Sequence, residues 1–331
     1  MSTIYDVAAQ AGVSLSSVSA VLNNRKNKVG AETKRRILDA VRDLDYRPSR
    51  VAQQLATGRS NTIALTFRRQ PPQGASYYSI SGVLAGAVDA AAAMGMYILI
   101  SPADPREAFA DIVTDLPSHG IDGAVIVGPV IIRDENISAI DNCSVPVVCI
   151  DSYPGFRKAS TVDIDNYETI RRAVSHFVSL GHTRIAYVGH PPVLQCFADR
   201  QRAFFEVMDE YGLSVAGRVI NVRLPEEAQD GLLGVFKMEQ RPTAVVCDEA
   251  SFGIDVWEGL TKLGLRVPDD VSLFIFDGLP AEHPGHKLVS HYVLSPYMQG
   301  KVATETIRRI LLGEVEPPVH LKVSLDLALV P

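Results

Sequence analysis

Thr3-Ile-Tyr-Asp-Val-Ala-Ala-Gln-Ala-Gly-Val-Ser-Leu-Ser-Ser-Val-Ser-Ala-Val-Leu-Asn23 is the stretch that decides how the chain begins. Ile4, Val7, Ala8 and Ala11 fall on one face at helical spacing. Thr3 is placed to cap that helix, and Asp6 sits in its first turn, where the helix dipole favours negative charge. Gly12 permits a sharp turn at the helix end. Ser14 then caps a second helix, Leu15 to Leu22, with Val18, Val21 and Leu22 on its inner face and Leu15, Ser16, Ser19 and Ala20 on its outer face. Two short helices joined by a glycine turn form a helix-turn-helix, whose second helix enters the DNA major groove. Short outer side chains let such a helix sit deep.

A helical hairpin alone occurs in many folds, so charge carries the discrimination. Residues 1–59 hold ten Lys or Arg and five acids, a net of +5, against −6 for the whole chain and therefore −11 for residues 60–331. A solvated helix face accounts for each lysine singly. It does not account for a basic head on an acidic body, which is the asymmetry expected where one end meets phosphate.

Beyond residue 60, apolar runs alternate with helical patterns. The strand candidates are 63–67, 97–101, 124–127, 146–150, 185–188, 219–222, 244–247 and 271–276. The helical stretches are 79–94, 106–119, 167–180, 200–211, 251–263 and 298–312. This order predicts doubly wound parallel sheets, and about 270 residues suffice for two subdomains. Ligands of such sheets bind at the carboxyl ends of strands. Asp151, Asp248 and Asp277 stand there, with Arg200 and Phe197 on a following segment and Tyr77 and Tyr78 after the first strand. Carboxylates and an arginine clamp hydroxyl groups, while aromatic rings cover the apolar face of a sugar. Each acid, taken singly, is equally well read as a helix cap.

These residues resemble the LacI/GalR family of bacterial transcription regulators. Tyr5-Asp-Val-Ala8, Ala11-Gly-Val-Ser14, Val18-Ser19, Val21-Leu-Asn23 and Arg50-Val-Ala-Gln-Gln-Leu-Ala56 carry the likeness, which is specific over residues 3–59 and continues more weakly through the body. The resemblance implies that Leu15 and Ser16 read bases and that Tyr5, Ser14, Ser17 and Asn23 hold the phosphate backbone. Thr3, Ser19, Ala20, Lys28, Arg50, Ala52, Leu55 and Ala56 complete the candidate DNA contacts. Ala20 departs from the family, many members of which carry an arginine there. Arginine reads guanine bidentately and alanine touches at most a thymine methyl. The basic loop Asn24-Arg-Lys-Asn-Lys28 is placed to add phosphate contacts. Ser49–Ala56 is too short for a stable isolated helix, and the family folds this hinge on DNA in a dimer, with Leu55 matching a leucine wedged into the minor groove. The alternative for Leu55 is packing on the body.

The resemblance further implies a periplasmic-binding-protein-like body, crossed near residues 161, 292 and 320. The expected division is a helix-turn-helix domain at 1–47, a hinge and linker at 48–60 and an effector-binding and dimerisation domain at 61–331. Its subdomain one takes 61–161 and 293–319, and subdomain two takes 162–292 and 320–331. Arg200 and Asp277 become effector contacts. Cys247 stands where many members have asparagine and Gly278 where many have a second aspartate, so the effector pocket loses polar groups there.

Composition sets the remaining expectations. The first residues lack the apolar core of a signal peptide, no run is apolar enough to span a membrane, and the four cysteines read as reduced thiols of a cytoplasmic protein. No phosphate-binding loop, nucleophile elbow or zinc-protease motif occurs, so no cofactor, no metal and no enzymatic activity are expected. His283, His286 and His291 sit in a proline- and glycine-bearing loop, and His182 reads as structural. The expected protein is a ligand-responsive DNA-binding regulator, a homodimer acting as a repressor on a near-palindromic operator, with a sugar or sugar derivative as effector. The competing classes are a solute-binding protein and an α/β enzyme acting on sugars; the basic head opposes the first and the missing nucleophile–base pair the second.

Overall fold

The structure is a computed structural model that describes residues 2–22, 29–47, 54, 58–68, 75–103, 109–128, 134–151, 155–213, 219–222, 225–237, 239–292, 295–323 and 326–330. It divides into two compact units, Met1–Ser60 and Asn61–Pro331.

The first unit contains α1 (Ile4–Ala11), α2 (Leu15–Leu22) and α3 (Ala31–Asp43). Thr3 and Asp6 form a reciprocal capping box: the Asp6 N–H donates to Thr3 Oγ1 at 3.4 Å, and the Thr3 N–H donates to Asp6 Oδ2 at 2.8 Å. Gly12 closes α1 at φ +62°, a conformation that costs other residues a Cβ clash. Its N–H returns to the carbonyls of Ala8 and Ala9. Ser14 Oγ accepts from the Ser17 N–H at 3.3 Å and so caps α2. Val7, Ala8, Ala11, Val18, Val21, Ile37 and Ala40 form the core of this unit, with Ile4 and Leu22 packed against it.

The second unit is built on two six-stranded sheets. The first comprises β1 (Thr62–Arg68), β2 (Tyr97–Ala103), β3 (Gly123–Val127), β4 (Val147–Ile150), β5 (Ser160–Ile164) and β11 (His320–Val323), in the order β11-β5-β4-β3-β1-β2 and parallel throughout. The second comprises β6 (Ile185–Gly189), β7 (Val219–Asn221), β8 (Ala244–Cys247), β9 (Ser272–Ile275), β10 (Ser290–Tyr292) and β12 (Leu327–Ala328), in the order β12-β10-β9-β8-β6-β7, with only β12 antiparallel. Strands such as Val147-Val-Cys-Ile150 and Ala244-Val-Val-Cys247 are buried along their whole length, as continuous apolar runs covered on both faces must be.

The helices are α4 (Ala75–Ala93), α5 (Phe109–Asp115), α6 (Asp134–Asp141), α7 (Asn166–Ser179), α8 (Gln195–Glu210), α9 (Pro225–Phe236), α10 (Ala250–Lys262) and α11 (Ser295–Leu311). They pack in pairs, α4 with α11, α5 with α6, α7 with α8 and α9 with α10. One apolar cluster runs through both lobes, from Ile63, Leu65 and Val148 to Tyr187, Val246 and Phe274.

Eight strands and six helices lie where the apolar pattern puts them. β5, β10, β11, β12, α6 and α9 were not anticipated. β5 (Ser-Thr-Val-Asp-Ile) and β11 (His-Leu-Lys-Val) alternate polar and apolar residues, so they lack the continuous signature of the other parallel strands. Their presence moves two boundaries. Crossings expected near residues 161 and 320 fall inside strands of the first sheet, so the chain changes lobe after Ile164 and after Val323. The middle crossing falls between Tyr292 of the second sheet and α11, which packs on α4.

Candidate functional site

The outer surface of the first unit follows from its core. With Val18 and Val21 buried, the leading turn of α2 faces outward: Leu15 is 37 % exposed, and Ser14 and Ser16 are exposed. Ser14 Oγ lies 2.8 Å from Ser16 Oγ and 3.0 Å from Ser17 Oγ, so three hydroxyls share one local network. Tyr5, one helix earlier, is 68 % exposed. Thr3 is exposed, but its hydroxyl is engaged by Asp6 at 2.8 Å. Ser17 and Ser19 are half-buried.

Ala20 is a correction: expected on the outer face, it is 5 % exposed. A helical side chain lies back over the preceding turn, and a single methyl does not project past its neighbours there. Lys34, Arg35 and Arg36 on α3 are exposed and supply basic surface. Asn23, Lys28, Arg50, Ala52, Leu55 and Ala56 lie outside the described residues, as does most of the hinge.

The second site lies where strand ends of the two sheets meet. Each sheet order reverses once, between β1 and β3 in the first and between β6 and β8 in the second, and ligand crevices form at such switch points. Asp151 follows β4 with a left-handed φ of +56°. The register pairs Ile150 with Val162, which sets Asp151 beside Asp163 of β5. Gln299 of α11 donates to Asp151 Oδ1 at 2.6 Å. Burial raises the Asp151 pKa, opposed by Arg200 and Gln299. Burial, then the neighbouring Asp151, pushes Asp163 up to about 7.

Arg200 of α8 connects these first-lobe acids to the second lobe. Asn166 at the start of α7 donates to Asp163 Oδ1 at 3.1 Å, and its own Oδ1 accepts from Arg200 Nε at 2.8 Å. Arg200 Nη1 donates to the Asp248 carbonyl at 2.5 Å, and the guanidinium lies 3.5 Å over the Phe276 ring. Burial opposes the charge of Arg200, but Cys196, Asp277, Asp248 and Asp151 more than restore it. Asp277 is pushed up to about 7 by burial against the pull of Arg200, with Glu249, Asp151 and Asp248 adding to the rise.

Four carboxylates therefore surround one buried arginine. Phe197 does not stand free as a sugar platform: His190 stacks on it at 4.0 Å and 11°, and Arg200 lies 5.7 Å from its ring. His190 Nε2 is 3.2 Å from Glu249 Oε2 and its Nδ1 is 3.5 Å from Asp248 Oδ1. Neither of that last pair of atoms has a hydrogen-bond partner among the described residues. Asp248 is fully buried; its Oδ2 accepts from the Tyr187 hydroxyl at 3.1 Å and from the His190 N–H at 2.8 Å. Cys247 is also fully buried and packs in the apolar cluster of the second lobe. Asp248 and Cys247 thus support the wall behind the cleft instead of lining it. Tyr77 and Tyr78 lie in the first turn of α4.

Asp163, Asn166, Gln299, Tyr187, His190 and Glu249 were missed from sequence. His190 had a usable signal, because Gly189-His190 directly follows a buried strand next to the switch point. The arrangement offers many acceptors and few donors. That chemistry suits a ligand rich in hydroxyl donors.

Elsewhere, His182 bonds the hydroxyls of Thr243 and Ser272 at 2.8 and 3.0 Å, a structural role. His283, His286 and His291 each bond backbone atoms of their own loop or its neighbours. Among the described residues no cluster of His, Cys, Asp and Glu has the geometry to hold a metal ion, and no helix is long and apolar enough to cross a membrane. All four cysteines are free.

The family description "Bacterial regulatory proteins, lacI family" matches residues 3–49, and "Periplasmic binding protein-like domain" matches residues 174–328. Catabolite control protein A of Staphylococcus aureus (strain Mu50 / ATCC 700699) is 27 % identical over 319 residues, covering 96 % of this chain and 94 % of the relative. A solved structure of the Lac repressor dimer bound to operator and the anti-inducer ONPF matches with a TM-score of 0.80 at 21 % identity, over 98 % of this chain and 97 % of that one. The complex of the transcriptional regulator CelR with cellobiose matches with a TM-score of 0.70 at 21 % identity, over 99 % of each chain. A helix-turn-helix unit carried on a two-lobed body with a polar cleft defines a ligand-responsive, DNA-binding transcription regulator. The head is a lacI-family helix-turn-helix domain and the body carries a periplasmic-binding-protein-like domain.

Proposed function

We propose that this regulator is a cytoplasmic, homodimeric repressor that binds a near-palindromic operator and is controlled by a sugar or sugar derivative held between its lobes. The observation that carries the reading is the meeting of Asp151, Asp163 and Gln299 from one lobe with Asn166, Arg200 and Asp277 from the other. A ligand held by both groups changes the angle between the lobes. A two-fold dimer needs two related half-sites, hence the palindrome. Relatives support the choice of ligand and DNA: CelR is solved with cellobiose and the Lac repressor with operator. The effector contacts in this reading are Asp151, Asp163, Arg200 and Asp277, with His190 and Phe197 at the rim. Leu55 would wedge the minor groove as the hinge orders, and an effector that misaligns the two heads would release that hinge. The protein in this reading has no enzymatic activity, no cofactor and no membrane partner.

The test is operator anisotropy with the full chain, using a duplex selected from a genomic library, titrated with a panel of sugars that includes cellobiose. A sugar that shifts operator affinity, and whose effect disappears in Arg200→Ala while operator binding persists, supports the reading. A normal response in Arg200→Ala places the effector elsewhere. Removing residues 1–59 should abolish operator binding and spare sugar binding; retained operator binding would refute the assignment of the head.

A further inference from the structure

Resting on that reading, the structure points to the way the operator is discriminated. α2 reads Leu-Ser-Ser-Val-Ser-Ala-Val-Leu from Leu15 to Leu22, with no amide, amine or guanidinium on any face. Direct recognition of guanine relies on a bidentate arginine or lysine at O6 and N7, and of adenine on a bidentate asparagine or glutamine at N6 and N7. This helix can make neither contact. Ala20, which sequence placed outward, is buried, so it adds no contact of its own. The hydroxyls of Ser16 and Ser17 are each bonded to that of Ser14, and a hydroxyl accepts or donates with any base edge.

Leu15 is left as the discriminating group. It is 37 % exposed at the leading turn, in a unit whose valines and isoleucine at positions 7, 18, 21 and 37 are buried. An apolar side chain at the N-terminus of a groove-entering helix meets one apolar feature of the major groove, the C5-methyl of thymine. The net charge of +5 on residues 1–59 supplies the attraction to DNA without sequence information. We infer that α2 reads its half-site through thymine methyl groups packed on Leu15, and that no guanine of the half-site receives a bidentate contact at O6 and N7.

The experiment uses the full chain and an operator selected from randomised duplexes. Each arm thymine is replaced singly by deoxyuridine, which removes only the methyl, and each arm guanine by 7-deazaguanine, which removes only N7. Loss of one buried methyl should weaken binding about four-fold at one or more arm thymines. That penalty should vanish in Leu15→Ala and persist in Leu15→Met, which keeps an apolar side chain and guards against a variant that fails to fold. Every 7-deazaguanine should leave affinity within about two-fold. A loss of about ten-fold at any arm guanine would overturn the proposal, because it would reveal a bidentate guanine reader. Indifference to every deoxyuridine, or a deoxyuridine penalty unchanged in Leu15→Ala, would overturn it as well. In those cases the DNA-binding reading stands; failure to enrich any duplex would defeat both.

Discussion

Arg200→Gln should destabilise the body strongly at pH 8 and much less at pH 5.5. In the native chain the guanidinium gives hydrogen bonds to Asn166 Oδ1 and the Asp248 carbonyl, lies over Phe276, and is the cation set among Asp151, Asp163, Asp248 and Asp277. Removing one partner of a buried charge pair costs about 3–5 kcal/mol when the opposite charge cannot escape. Two of these carboxylates, Asp163 and Asp277, can escape by taking up a proton. Asp163 and Asp277 stand at about 7, above the ordinary 3.8, and Arg200 is a lowering influence on both. A carboxylate raised on folding contributes stability that is fully present below 3.8 and lost as pH rises through about 7. Without Arg200 those values climb further, so the loss at high pH deepens. At pH 5.5 Asp163 and Asp277 are largely protonated already, and what remains is about 1–3 kcal/mol for the unmade hydrogen bonds. The difference in the mutational penalty between the two pH values is therefore about 2 kcal/mol. The chain contains a single tryptophan, Trp257, packed against the core of the second lobe, so urea unfolding followed by its fluorescence reports on the right lobe. Equal penalties at pH 5.5 and 8 would refute the argument that charge, and not hydrogen bonding alone, makes Arg200 necessary.

Gly86→Ala should cost about 3 kcal/mol, because its Cβ would stand 1.9 Å from the Tyr297 carbonyl oxygen where α4 meets α11; a thermal melt unchanged from the native chain would show that the two helices are not packed so closely. Ser14→Ala removes the cap of α2 and should cost about 1 kcal/mol, seen as roughly five-fold faster amide exchange in that helix, and unaltered exchange would mean that the cap does not stabilise α2. Leu55→Ala should weaken specific operator binding while leaving sugar affinity unchanged; equal operator affinity would remove the minor-groove wedge from the reading. A sugar that donates its hydroxyls to Asp151 and Asp277 favours their ionised forms, so binding below pH 7 should release protons, measurable by calorimetry in buffers of different ionisation enthalpy; proton uptake would mean that the ligand accepts from protonated acids instead.

Local rules made the head legible residue by residue. Thr3, Asp6, Gly12 and Ser14 each do what their chemistry dictates within four residues of themselves. Ala20 escaped because a helical wheel gives direction and not reach: a single methyl placed on the outer side of the wheel does not thereby become exposed. In the body, Val147–Ile150 and Ala244–Cys247 declare themselves by unbroken burial, whereas β5 lies beside β4 and β11 is held by pairing with β5 across 159 residues. No local pattern reveals such pairing, and that is why both lobe boundaries moved. The cleft shows the same division. Asp151 and Asp277 are legible as acids after apolar strands, but Gln299 reaches Asp151 across 148 residues and Asn166 joins Asp163 to Arg200 only through the chain's crossing between lobes. Cys247 and Asp248 looked equivalent to the other strand-end residues, yet the former packs into the lobe's apolar cluster and the latter turns to Tyr187 and His190.

The uneven charge of the cleft also bears on how a ligand moves the protein. Asp151 and Asp163 belong to the first lobe, and Arg200, Asp248 and Asp277 to the second. Drawing the lobes together brings the first pair toward Arg200, which is favourable, and toward Asp277 and Asp248, which is not. One guanidinium cannot neutralise four carboxylates, so approach of the lobes is opposed by repulsion that only protons or donors relieve. A ligand whose hydroxyls bridge Asp151 and Asp277 relieves that repulsion solely when both lobes are near, and so binds the closed arrangement better than the open one. Differential affinity of this kind is the whole requirement for control. A ligand that made the same contacts in both arrangements would shift nothing, however tightly it bound.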